Sequence, residues 1–132
     1  MEAGAQPAAV PPHAATPVPM QAAAAALWRD EAHVTENRAR YKAKFDAAAR
    51  LLGGHSGFYA PQAGMFLWID VGDGEAATRR LWSEAAIKVL PGRYIAKNET
   101  DGRNVGAPFI RIALVHDLET VERALQRIAA LL

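Results

Sequence analysis

Two short apolar runs constrain the fold more than anything else in this chain: Met65-Phe66-Leu67-Trp68-Ile69 and Phe109 to Val115. Both are rich in aromatic and β-branched residues, and glycine, proline or aspartate stands near their ends, so each is predicted to be a strand. The first, placed at about Gly64 to Val71, is continuous rather than alternating, which predicts a strand covered on both faces. A third, shorter strand is expected at Ile87 to Leu90, stopped by the Pro91-Gly92 turn signal.

Helical segments fill the spaces around these strands. The alanine run from Met20 to Trp28 is a strong helix former that ends near Asp30. Asp30 is a candidate N-cap for a second helix, with Glu31 in its first turn, and Gly53-Gly54 closes it. Val34, Tyr41, Phe45, Ala48 and Leu52 share one face, which puts Arg38, Lys42 and Lys44 toward solvent. Asp73 caps a helix of about Glu75 to Ala86, with Ala77, Leu81, Ala85 and Trp82 as its apolar stripe. Asp117 caps a last helix carrying Leu118, Val121, Leu125, Ile128 and Leu132. The polar stretch from Lys97 to Pro108 suits an exposed loop. The fold class is α/β (α+β), a two-layer sandwich of helices on a small three-stranded sheet, preceded by a Pro/Ala-rich lead-in at 1–19.

At 132 residues the chain is one domain's worth or less, with 20–132 as its folded segment. A net charge of +1 gives no electrostatic argument for nucleic acid or an anionic membrane. No apolar run approaches the roughly 20 residues needed to span a bilayer. The alanine-rich start is not expected to be a secretion signal, because Glu2 precedes any basic residue and Pro7, Pro11, Pro12, Pro17 and Pro19 interrupt it. With no cysteine, disulfides and thiolate chemistry are excluded, and a cytoplasmic location is the expectation.

Arg111, inside the second run, is the residue that calls for an explanation. A guanidinium keeps its charge in a protein, and its planar fork of donors matches a carboxylate at two points. Asp70 or Asp117 could pair with it, its head could reach water, or an anionic ligand could meet it; the pattern alone leaves these open. His13, His33, His55 and His116 do not pair at metal-ligand spacing, and no metal site is expected. Asp70 with Asp73 reads as a strand end and a helix cap rather than an acid/base pair. Trp28, Trp68 and Trp82 are too dispersed for base stacking and suit core or interface packing. Gly72-x-Gly74 is a turn, too weak for a phosphate loop.

Taken in order, Gly64-Met65-Phe66-Leu67-Trp68-Ile69-Asp70, Val89-Leu90-Pro91-Gly92-Arg93-Tyr94 and Phe109-Ile110-Arg111-Ile112-Ala113-Leu114 resemble the C-terminal small domain of class I/II, fold type I, pyridoxal-phosphate aminotransferases. Asp30-Glu31-Ala32-His33-Val34, Asn37-Arg38 and Tyr41 extend the resemblance upstream. Leu81-Trp82 and Leu114-Val115-His116-Asp117 are similar to the bacterial succinyldiaminopimelate aminotransferases. The resemblance implies that Arg111 binds the substrate α-carboxylate, that Pro91-Gly92 lies beside the substrate entrance, and that the substrates are an amino acid and a 2-oxo acid. It also implies a large-domain subunit or a homodimer as partner.

The departure from that family is a missing part. Its chemistry needs a Schiff-base lysine in a serine-x-x-lysine-like context, an aspartate on the pyridine nitrogen and a phosphate cradle. The lysines here, Lys42, Lys44, Lys88 and Lys97, lack those flanking residues. Pyridoxal phosphate is therefore the family's cofactor without a cofactor site in this chain. The expectation is a fragment or split subunit inactive alone, with a non-catalytic module that binds a partner subunit or a small carboxylate as the alternative.

Overall fold

The computed structural model describes residues 16–132. Most of the expected lead-in, with His13, lies outside the described residues. The chain divides into two units, 1–34 and 35–132, with the division falling inside one long helix.

In the first unit, α1 (Val18–Arg29) begins two residues earlier than the alanine run suggests. Pro19 sits in the first turn, where its missing N–H breaks no helical bond. None of α1's residues is buried, and Trp28 is 84% exposed. Asp30 serves both sides of the corner that follows. Its N–H donates to the Leu27 carbonyl (3.2 Å), and its Oδ1 accepts from the Ala32 N–H (3.1 Å) to open α2 (Glu31–Leu52). His33 Nδ1 lies 3.1 Å from Asp30 Oδ2, and this contact holds the Asp30 carboxyl below its ordinary range.

The second unit is a three-stranded antiparallel sheet under helices. Strands β1 (Phe66–Asp70), β2 (Leu90–Pro91) and β3 (Phe109–Ala113) lie in the order β1-β3-β2. In register, Phe66 faces Ala113, Trp68 faces Arg111 and Leu90 faces Arg111 from the other side. Leu67, Ile69, Ile110 and Ile112 point to the helical layer, where they meet Leu52 of α2, Leu81 of α3 (Gly74–Ala85) and Val121, Leu125 and Ile128 of α4 (Leu118–Ala129). Asp73 and Asp117 cap as expected: Asp73 Oδ1 accepts from Glu75 and Ala76 N–H (3.0 Å each), and Asp117 Oδ1 from Thr120 N–H (2.8 Å). The Thr120 bonds hold the Asp117 carboxyl below its usual range.

The structure corrects five expectations. The short strand β2 is Leu90–Pro91 rather than Ile87 to Leu90. Only those two residues reach β3, and an edge strand tolerates a proline because its lost donor is not needed in the ladder. Lys88 is accordingly an exposed connector residue, not a strand residue. Trp82 is 61% exposed, one position around from the buried Leu81, so it does not belong to the α3 stripe. Lys44 is not solvated but 8% exposed, its Nζ donating to the Leu114 carbonyl (2.9 Å) and lying 4.7 Å from the Tyr41 ring centre. Finally, among the described residues β1 is not fully covered on both faces. Leu67 and Ile69 are buried, whereas Phe66 and Trp68 are only half-buried.

Candidate functional site

That second face of the sheet carries Arg111. Alternation along β3 sends Ile110 and Ile112 into the core and therefore Phe109 and Arg111 to the opposite side. Its neighbours there are Trp68 and Leu90, directly across on either hand, and Phe66, diagonally across β1. The Arg111 guanidinium carbon lies 4.3 Å from the centre of the Phe66 ring. Trp68 meets Phe109 edge-on, with ring centres 6.3 Å apart and planes at 71°.

The internal partners expected for Arg111 are engaged elsewhere. Asp70 Oδ1 accepts from the Gly72 N–H (2.9 Å), and Asp117 is the cap of α4. Among the described residues the Arg111 side chain makes no ion pair and no hydrogen bond, only the ring contact. A half-buried guanidinium on an aromatic strand face, with all five donors unclaimed by the described residues, is suited to gripping an anion.

A braced turn borders this face. The residues of Pro91-Gly92 continue into a short 3-10 turn, Gly92–Tyr94. Glu75, in the first turn of α3, accepts from Tyr94 Oη (2.5 Å) and from Arg93 NH1 (2.7 Å). The Tyr94 hydroxyl and then Arg93 hold the Glu75 carboxyl below its ordinary range, and Glu75 in turn raises the Tyr94 phenol and the Arg93 guanidinium. Asn104 Nδ2 reaches the carbonyls of Arg93 (3.1 Å) and Ala96 (3.2 Å) from the facing loop. Gly92 is obligatory for a packing reason: a Cβ there would stand 2.5 Å from the Gly106 carbonyl oxygen. Sequence reasoning missed Glu75, Arg93 and Tyr94 as a cluster. The only signal available was an acidic residue in a first helical turn, which helix capping explains equally well.

The remaining candidates stay apart. His33, His55 and His116 fall on a helix, a loop and a loop, and among the described residues no three His, Asp or Glu groups converge as a metal site would require. A cleft of about 260 Å³ is lined by His55, Asp73 and Arg80 with apolar groups of α3, and includes neither Arg111 nor a lysine. Among the described residues no helix is long and apolar enough to cross a membrane.

The profile of the aminotransferase class I and II family matches residues 5–128, and the chain belongs to that family. Among solved structures, an aminotransferase from Neisseria meningitidis is 40% identical with a TM-score of 0.81, over 88% of this chain and 30% of its own. A probable N-succinyldiaminopimelate aminotransferase from Thermus thermophilus is 32% identical (TM-score 0.55), over 70% of this chain and 24% of its own. The aminotransferase AspB from Helicobacter pylori is 26% identical (TM-score 0.71), over 84% of this chain and 28% of its own. Among curated proteins no match is found. The chain thus spans about a third of the length of these solved relatives, or less.

Enzymes of this family generally use pyridoxal phosphate. The described residues do not fit it. Lys42 Nζ is paired with Asp46 (2.7 Å), Lys44 is committed to the Leu114 carbonyl, and Lys88 and Lys97 are exposed outside any described cavity. Among the described residues no lysine stands on the Arg111 face with a phosphate cradle beside it.

Proposed function

We propose that this chain is the C-terminal small-domain portion of an aminotransferase that moves an amino group between an amino acid and a 2-oxo acid. Arg111 grips the substrate carboxylate. The cofactor and its lysine belong to a complementary large domain, either another subunit or a neighbouring part of a longer chain. The observation that carries the reading is the Arg111 guanidinium, held on the sheet face away from the core with no carboxylate among the described residues to satisfy it. The 32% identity to a probable N-succinyldiaminopimelate aminotransferase supports succinyldiaminopimelate, with 2-oxoglutarate, as the substrate pair to try first. Alone, the chain is expected to be inactive.

The test is complementation with a family large domain, comparing the parent chain with Arg111→Lys. Lysine keeps the charge but loses the two-point grip. Losing one hydrogen bond to a charged group, about 1.5–3 kcal/mol, predicts a roughly tenfold to hundredfold fall in kcat/KM. Amines without an α-carboxylate should lose much less. Equal losses for both substrate types would make Arg111 structural. Failure of every large domain to restore activity would favour a non-catalytic binding module.

A further inference from the structure

We infer that Phe66 is a positioning residue for Arg111: its ring holds the guanidinium in place while leaving the donors free for a carboxylate. The inference rests on the reading of Arg111 as the carboxylate grip.

Three features of the sheet face converge on this contact. Arg111 stands on the central strand, so its side chain must lie along the face rather than escape over an edge. Directly across, Trp68 is engaged edge-on with Phe109. Diagonally, the residue paired with Phe66 is Ala113, whose single methyl leaves the Phe66 ring open to its neighbour on β3. The Arg111 guanidinium carbon settles there, 4.3 Å from the ring centre.

The kind of contact matters as much as its place. An ion pair would fix the guanidinium equally well but would occupy the donors that a substrate needs, and its charge would compete with the substrate's. A ring attracts the cation through its quadrupole and takes no hydrogen-bond donor. Arginine otherwise loses much rotamer freedom on binding, and a contact that removes this freedom beforehand strengthens what binds next. A merely apolar role for Phe66 would be served as well by leucine, whereas a ring-specific role would not.

The test uses the whole chain in solution, with succinate as the carboxylate probe, and follows the Arg111 side-chain NMR signals, assigned by their loss in Arg111→Lys. In the parent these signals should be moved upfield by the Phe66 ring and should respond to succinate. Phe66→Leu should remove the upfield shift and weaken succinate binding about twofold to thirtyfold. Phe66→Tyr should restore both, which guards against a folding defect in the leucine variant. If Phe66→Leu binds like the parent while Arg111→Lys does not, the inference is overturned and the Arg111 reading stands. If the parent shows no upfield shift, the inference also fails. If Arg111→Lys binds succinate as the parent does, or the parent does not respond, the Arg111 reading itself falls, and the inference with it.

Discussion

Replacing Gly92 by alanine probes the brace beside Arg111. The added Cβ would lie 2.5 Å from the Gly106 oxygen and 3.0 Å from the Phe109 oxygen. The first contact is well inside the 3.0 Å that real Cβ atoms essentially never breach. Both obstacles are backbone atoms, one of them on β3, so neither can rotate away as a side-chain tip would. Relief requires the turn and the central strand to part, and overpacking of this kind costs about 1–3 kcal/mol. At about 4 °C per kcal/mol for a chain of this size, the melting temperature should fall by roughly 4–12 °C. Gly54→Ala is the matched control, because nothing lies within 4 Å of a Cβ there, and it should melt at or slightly above the parent. Differential scanning calorimetry of the three proteins decides the matter. A Gly92→Ala protein that melts with the control would refute the claim that close backbone approach, rather than turn chemistry, requires this glycine.

Lys44→Ala should destabilise the chain by about 1.5–3 kcal/mol in urea titration, since it leaves the Leu114 carbonyl without its charged donor; an unchanged midpoint would show that this buried ammonium contributes nothing. Glu75→Gln should lower the melting temperature near neutral pH. Because the native Glu75 carboxyl is held down by Tyr94 and Arg93, its contribution exists above the ordinary carboxylate value and is lost as pH falls through the lower native one. The Tyr94 phenol is raised, so its share exists below the ordinary phenol value and is lost as pH rises through the native one. The gap between parent and variant should therefore close at both extremes, and a gap that widens in acid would contradict the assignment. Incubation with pyridoxal phosphate, removal of excess and borohydride treatment should leave no stoichiometric visible band on Lys42, Lys44, Lys88 or Lys97.

Local chemistry made most of the scaffold legible in the sequence. Asp30, Asp73 and Asp117 announce their helices because a cap is decided within three residues of itself, and Leu125 and Ile128 repeat at the helical period. Arg111 stood out because a charge inside an apolar strand asks for a partner. What stayed hidden depends on distant chain. Lys44 is buried because Leu114, remote in sequence and just past the end of β3, brings its carbonyl to the ammonium. The strand at Leu90–Pro91 is set by where β3 passes, not by the apolar run before it. Glu75, Arg93 and Tyr94 meet only once α3 has packed beside the turn. The continuous run at β1 read as doubly covered, yet among the described residues only one of its faces is buried, Phe66 and Trp68 on the other staying half-buried; hydrophobicity records that a face avoids water but not what covers it.

The strand order carries a consequence for how such a chain is made. The middle strand of the sheet, β3, is the last of the three to leave the ribosome. Until Phe109–Ala113 emerges, β1 and β2 have no bridge between them, and each presents unpaired backbone to solvent or to a chaperone. Synthesis that stalls before β3 would leave two orphan edges rather than a smaller sheet, so the birth of this fold is a single late event.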